Sequence, residues 1–576
     1  MATAAPGAAA GGGGGAARSG DLSGATASAG GGRTCFQPDA TGPEQYGPTD
    51  ISAVTGNRRL TVAENGAGTL TLMRWPSPSY DNQLRYRTVS AHEPGYGVAP
   101  NQGSFLGVVV AGKLRWLRDL AATQTELDAS SDAVTTNYGA PGLDVQVVDV
   151  VDAQRDALVR RVEVRPAGAA SAVVGFAHFD PTTVHYPDFP TWDWCQQDLI
   201  ASSASYRPAD DAVVTAAEGV GLAVGFAAPS STHQVGQDAY WSGQHLVMEP
   251  ADAYDTSNGS LPAGSPSAPG PQVDLALSTP LDTGGGATFV IAAGTDTDGA
   301  LAALAAERAA PLASVLAAKR AKVGSWLAPC PLPAGGGPAV VELARRAYVA
   351  AWQAADLRGP VVASVATQSP YGEDWVRDSA FIDHLLDLCG HHAEAGANAR
   401  FLAAMQVEQG RQPPPGTSPS VPAGNWAMNF YADGTVGGPI PWEIDETGFG
   451  IWTLVDHFDL TADRSYLTDV YPAVAAGADF LTGPGRDPAT GLTTPASEDD
   501  NPNPTYPASM HASGPVLLAL RSAVAAASVL GRTDDAQRWS QRAAEVLAAI
   551  ERRYHAGADG QAWTDDYGDG GWALWP

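Results

Sequence analysis

Three acid-rich segments in the second half of the chain carry the residue types that chemistry on a neutral, hydroxyl-rich molecule would need. The first is Tyr371-Gly-Glu-Asp-Trp375-Val-Arg377-Asp378. Trp375 offers a flat apolar face, and Arg377 and Asp378 supply a donor fork and an acceptor for hydroxyls. The second is Pro441-Trp442-Glu443-Ile-Asp445-Glu446-Thr-Gly448, three carboxylates and an indole just ahead of a helical pattern. The third runs from Asp487 to Gly491 and on to Ser497-Glu498-Asp499-Asp500, in a proline-rich stretch before an apolar helix. Glycosidic bond cleavage needs one carboxylic acid to protonate the leaving oxygen and a carboxylate on the opposite face, about 6.5–9.5 Å away when a water must fit between them. Asp499 and Asp500 would raise the pKa of Glu498 by like-charge repulsion, as an acid catalyst requires. Each segment also has a plainer account: a charged helix start, first-turn acids favoured by the helix dipole, or a solvated or calcium-binding acidic loop.

The elements that must position these residues are helices. Apolar periodicity predicts helices over about 340–357, 375–388, 393–409, 447–458, 471–481, 514–530 and 534–554. Thr533 before Asp534-Asp535 is a good helix start. The long connections 359–374, 410–446 and 483–513 alternate with short ones, the rhythm of helical hairpins in a ring with the long loops gathered at one end. Upstream, Ala300–Ala309 and Leu312–Trp326 read as two helices broken by Pro311, followed by a Pro/Gly-rich linker to Pro338.

Before residue 297 the signals are those of strands. Arg58–Leu60–Val62 and Leu70–Leu72–Arg74 flank a Gly-rich turn, Phe105–Val110 and Leu114–Leu117 flank Ala111-Gly112-Lys113, and Arg161–Arg165 alternates strictly. Ala212–Ala216 and Gly221–Phe226 flank Glu218-Gly219. Many short strands with regular turns predict an antiparallel sandwich. The expected organisation is a disordered Ala/Gly-rich segment over 1–49, a β-sandwich over 50–296, a helical linker over 297–337 and a helical domain over 338–576.

Bulk properties narrow the chemistry further. The chain has 62 acidic against 33 basic residues, a formal net charge of −29, and its only lysines are Lys113, Lys319 and Lys322. Such a surface repels phosphate backbones and anionic membranes, so neither nucleic acid nor membrane is an expected partner. No apolar run reaches the roughly 20 residues of a membrane span. The 4 cysteines, Cys35, Cys195, Cys330 and Cys389, form no CxxC; free thiols or one or two bridges fit equally. The histidines, among them His384, the adjacent His391-His392 and His511, form no metal motif, and HExxH, GxSxG and P-loop patterns are missing. The N-terminus lacks a charged and then apolar leader, so a cytoplasmic protein is expected, or a secreted one if translation starts elsewhere.

The three loops occur in the order and spacing of glycoside hydrolase family 15, which this chain resembles over about 50–576. Glu373–Asp378 resembles that family's aromatic-x-Arg-Asp motif, and Glu443–Gly448 its acidic segment ahead of the fourth helix. Tyr466-Leu through Leu481 is similar to its fifth-helix stretch, and Asp487–Leu492 followed by Ser497-Glu498-Asp499 is similar to the loop that ends in Trp-Glu-Glu. The resemblance implies a super-β-sandwich joined to an (α/α)6 barrel, inversion at the anomeric carbon, and no metal or organic cofactor. It implies that Trp375, Arg377, Asp378, Trp442, Asp445 and Glu446 bind the terminal glucosyl unit, with Glu498 as general acid and Asp499 on the leaving sugar. About seven barrel helices are expected where the ring has twelve. The family's general base lies in the last third of that ring, so it is expected to be absent from this chain, which then reads as C-terminally truncated. The expected activity is exo-acting hydrolysis of α-glucosidic bonds in glucans or oligosaccharides by a monomer, releasing glucose. The alternatives are a non-catalytic carbohydrate-binding fragment, or an (α/α)6 disaccharide phosphorylase or trehalase-type enzyme.

Overall fold

The computed structural model describes residues 51–553, apart from 87–101, 127–129, 182–201, 248–260, 262–266, 366–371, 407–421, 437–442, 495–509 and the positions 81, 85, 180, 218, 231, 238–239, 243–244 and 271–272. The Ala/Gly-rich segment expected to be disordered, and with it Cys35, lies outside the described residues, as does Cys195.

Two antiparallel sheets face each other in the first half. One runs in the order Ala53–Gly56, Thr61–Glu64, Leu70–Arg74, Ser104–Val110, Ala172–Phe179, Val273–Pro280 and Thr232–Gln237, with Lys113–Trp116 also paired to Ser104–Val110. The other runs Ser267–Gly270, Ser202–Arg207, Ala212–Ala217, Val220–Phe226, Gly286–Gly294, Ala157–Arg165, Leu143–Val151, Val134–Ala140 and Ala121–Glu126. Alternation sends Val62, Leu106, Val108 and Val173 from one sheet against Val145, Val147, Val162, Leu222 and Phe289 of the other. The sheets approach so closely at Gly175 that a Cβ there would overlap the Phe289 ring. The strand expected over Arg58–Val62 begins later, at Thr61, because residues 57–60 turn: Arg58 has φ 76°, and Asn57 Oδ1 accepts from the amides of Arg59 (3.0 Å) and Leu60 (2.8 Å).

Helices α1 (Thr297–Arg308) and α2 (Leu312–Leu327) meet at an angle of 105° on either side of Pro311. Asp296 caps α1 by accepting from the Gly299 amide at 2.7 Å. Both helices lie on the outer face of the second sheet: Ala300 and Leu304 pack on Ala157, Val214 and Val290, and Val315 and Leu316 on Val150 and Val159. Lys319 of α2 is wholly buried, 2.9 Å from Asp132 and donating to the Gly56 carbonyl. Burial lowers the Lys319 pKa, and the nearby Asp132 carboxylate opposes that shift.

The remaining helices are α3 (Pro338–Ala354), α4 (Val376–Leu388), α5 (His392–Met405), α6 (Ile444–Thr461), α7 (Arg464–Thr482), α8 (Met510–Leu530) and α9 (Thr533–Arg553). Two- or three-residue links join α4 to α5, α6 to α7 and α8 to α9, and long connections precede α4, α6 and α8. The short links make each pair antiparallel, so α4, α6 and α8, which pack side by side, run parallel and begin at one rim. The core between them is built from Val376, Trp426, Ile451, Leu454, Val474, Val516, Leu520, Trp539 and Val546. Cys330, at the end of the linker helices, is bonded to Cys389 at the C-cap of α4.

Two expectations are corrected here. Helix α7 begins at Arg464 rather than 471 and passes through Pro472. Both Pro472 and Thr468, whose carbonyl loses its helical partner, face solvent, while Tyr466, Leu467, Val470 and Val474 bury the opposite face. The stretch Ala512–Leu530 of α8, with mean hydropathy 1.5, is long and apolar enough to cross a membrane. It is a core helix: Val516, Ala519, Leu520, Ala523 and Ala527 are buried in the helical bundle.

Candidate functional site

The rim where α4 and α6 begin gathers most of the described candidate residues. Asp374-Trp375 enters α4 as a two-residue strand paired with Asn429-Phe430. On its other side the Glu373 carbonyl accepts from the Ala363 amide at 2.9 Å, and Asp374 Oδ2 accepts from the Val361 amide at 3.1 Å. These two edges fix the direction in which α4 starts, and so where Arg377 stands.

Helix α6 begins with Ile444, so Glu443 is its N-cap residue and Asp445 and Glu446 lie in its first turn. The Glu443 side chain does not cap its own helix; it turns to Arg377. Arg377 Nη1 donates to Asp445 Oδ2 at 2.6 Å and to Glu443 Oε2 at 3.3 Å, and lies 3.5 Å from Glu446 Oε1. The Arg377 amide donates to Glu446 Oε2 at 2.6 Å. One guanidinium and one helix N-terminus therefore hold three buried carboxylates.

This arrangement carries more negative charge than positive. Burial pushes the Glu446 carboxyl well above the usual range; Arg377 opposes the shift, and Glu443, Asp445 and Asp378 reinforce it. Asp378, half-buried on the first turn of α4, is raised by burial, with Arg377 opposing and Asp445 adding. Asp374 is raised to about 7, chiefly by burial. Among the described residues Asp445 Oδ1 and Glu446 Oε1 accept no hydrogen bond, although both are wholly buried. Such a site has acceptors to spare, which is the demand that neutral hydroxyl groups answer.

The structure thus brings together Trp375, Arg377, Asp378, Asp445 and Glu446, drawn from two segments about 70 residues apart in the chain. Trp375 differs from the exposed platform expected of it. It is 5% exposed, packs against Met428, and has the Arg377 guanidinium 5.7 Å from its ring centre. Trp442, Glu498 and Asp499 lie outside the described residues.

Sequence reasoning passed over the layer beneath the rim. Asp383, one turn and a half below Asp378 on α4, accepts from Asn398 Nδ2 of α5 at 2.7 Å. Asp387 binds His392 Nδ1 at 2.7 Å and His457 Nδ1 at 2.8 Å, tying α4, α5 and α6 together. Burial and the acids Asp374, Asp387 and Asp456 hold the Asp383 carboxyl well above its ordinary value, with Asn398 opposing. Asp383 and Asp387 stand one turn apart on one helix, the only signal the sequence offered. His391, beside this layer, stacks on Trp326 at 3.5 Å. No group of three or more metal-ligating side chains suited to an ion occurs among the described residues.

No family model matches the chain. An uncharacterized glycosyl hydrolase of Methanocaldococcus jannaschii is 22% identical over 144 residues, which is 25% of this chain and 21% of that protein. The match therefore spans about a fifth of the curated relative. Among solved structures, a bacterial glucoamylase complexed with acarbose is similar with a TM-score of 0.63 and 12% identity, over 91% of this chain and 71% of the glucoamylase. A putative kojibiose phosphorylase from human microbiome follows at 0.54 and 9% identity, over 92% of this chain and 70% of that one. At such identities the likeness is one of architecture: an antiparallel β-sandwich followed by helices arranged as in part of an (α/α)6 barrel, the fold shared with these glycosidase and phosphorylase structures.

Proposed function

We propose that the protein is a carbohydrate-active enzyme, and within that class an exo-acting, inverting hydrolase of α-glucosidic bonds that releases glucose, similar to glycoside hydrolase family 15. The observation that carries this reading is the convergence of Glu443, Asp445 and Glu446 on Arg377 at a rim shared by α4 and α6. The acceptor-rich floor suits the hydroxyls of a terminal glucosyl unit, and the glucoamylase likeness supports a sugar as ligand. In this reading Arg377, Asp378, Trp442, Asp445 and Glu446 bind that unit, and the buried Trp375 backs the Arg377 guanidinium. Glu498 donates a proton to the glycosidic oxygen as the bond to the anomeric carbon breaks, and Asp499 contacts the departing sugar. A water attacks the opposite face, deprotonated by a carboxylate that this reading assigns to no residue of the chain.

In the full-length protein, replacing Glu498→Gln is expected to lower turnover of maltose or isomaltose by about 10²–10⁴-fold while acarbose still binds. Unchanged turnover in that variant rejects the assignment. The likeness to a putative kojibiose phosphorylase favours one other reading, phosphorolysis of a disaccharide. Turnover that rises from zero only on addition of inorganic phosphate decides for it. Acarbose binding by the full-length protein without turnover, with or without phosphate, decides for a carbohydrate-binding role.

A further inference from the structure

The sandwich sends a short turn into the rim. Arg74 ends the strand Leu70–Arg74 and is almost wholly buried. Its Nη1 donates to the Pro78 carbonyl at 2.9 Å, closing the turn on itself, and reaches the Ser364 carbonyl of the connection before α4 at 3.4 Å. The guanidinium lies against Gly372, where a Cβ would overlap it. Three residues on, the Ser77 hydroxyl donates to the carboxylate of Asp356. Ser79 Oγ accepts from the Ala432 amide at 2.9 Å.

These contacts fall on both segments that flank the Asp374-Trp375 strand. Asp356 and Ser364 bracket the stretch whose amides at Val361 and Ala363 bond to Asp374 and Glu373. Ala432 lies two residues beyond Asn429-Phe430, the partner on the other edge. A pair of two-residue strands is too short to hold its own register. Its register must come from what grips its edges, and the grip comes from residues 74–79.

We propose that Arg74, Ser77 and Ser79 are positioning residues of the sugar site: the sandwich sets the place of Trp375 and Arg377, and is a working part of the rim rather than an appended module. This rests on the sugar-site reading above. It extends that reading by assigning to the N-terminal domain a function in ligand affinity.

The test uses Ser79→Ala, Arg74→Ala and Arg74→Lys in the full chain, with Arg160→Met as a control. Arg160 is equally buried in the sandwich but bonds to Asp149, Gly68 and Ser104, none of which touches the rim. Three quantities are read: hydrogen exchange of amides over 372–377 and 425–434, acarbose affinity by calorimetry, and thermal unfolding. Ser79→Ala and Arg74→Ala are expected to speed exchange at the rim at least tenfold and to weaken acarbose binding at least tenfold, with Arg74→Lys recovering most of both. Arg160→Met is expected to lower the melting temperature and leave rim exchange unchanged. Unchanged rim exchange in Ser79→Ala and Arg74→Ala overturns the proposal, as does equal loosening by Arg160→Met. If the unaltered chain binds no acarbose, the sugar reading fails, and rim exchange still decides whether the sandwich positions this site.

Discussion

Arg160 in the sandwich and Arg377 at the rim are both buried among carboxylates, and they are held in opposite ways. Arg160 grips Asp149 with two nitrogens, Nε at 2.6 Å and Nη2 at 3.2 Å, and gives its other donors to the carbonyls of Gly68 and Ser104. Glu64 stands 3.8 Å away, pushed well above its ordinary pKa by burial. That site is a closed fork, of the kind that fixes a fold. At Arg377, Glu443 Oε2, Asp445 Oδ2 and Glu446 Oε1 all approach Nη1, so three carboxyls gather on one guanidinium. Among the described residues Asp445 Oδ1 and Glu446 Oε1 accept no hydrogen bond, which leaves spare acceptors at the mouth of a helix pair. The contrast teaches that burial of an arginine does not by itself mark structure or function; whether the carboxyls it donates to are all satisfied does.

The largest effect that tests this contrast is Arg160→Met. It strands Asp149 inside the sandwich and is expected to cost about 3–5 kcal/mol in urea unfolding, with acarbose affinity of the folded protein unchanged. Arg377→Met should do the reverse: acarbose affinity is expected to fall about 100-fold, about 2.7 kcal/mol, measured by calorimetry. A stability loss as large as that of Arg160→Met with affinity intact would erase the distinction.

A third effect concerns pH. The folded pKa of Asp374 is about 7, above its unfolded value, so the folded state holds a proton that the unfolded state releases. Its contribution to stability is full below about pH 4 and is lost as pH rises towards 7, at about 1.4 kcal/mol per pH unit. Asp374→Asn is expected to remove that slope, seen as converging unfolding curves at pH 5 and pH 7; a slope unchanged in the variant contradicts it. The smallest effect is Glu64→Gln. A carboxyl already held towards its neutral form should change stability at pH 7 by less than about 1 kcal/mol.

Much of this architecture could be read from residue patterns. Strict alternation over Arg161–Arg165 and the break at Pro311 describe the strand Ala157–Arg165 and the bend between α1 and α2. The pairing of the loops around Arg377 and Asp445-Glu446 was foreshadowed by acids placed just ahead of apolar helices. What escaped was set by tertiary packing. Pro472 normally stops a helix, but its position on the wet face of α7 let the chain continue. Trp375 was expected as an open platform, yet Met428 and the Arg377 head cover it. The bond between Cys330 and Cys389 joins residues 59 apart, and no spacing rule selected it among the open pairings. The bonds made by Ser77 and Ser79 cross between domains and leave no local trace in the sequence.

Those last contacts also set an order of events as the chain is made. Ser79 meets the Ala432 amide 353 residues later, and Ser77 meets Asp356 after 279. At about 5–20 residues per second, the ribosome delivers each second partner roughly 14–70 s after the first. Each helical hairpin closes over a few residues, a fast local step, whereas these encounters span hundreds of residues. The rim where α4 and α6 begin is therefore finished late, when a turn made early finds segments that emerge hundreds of residues after it.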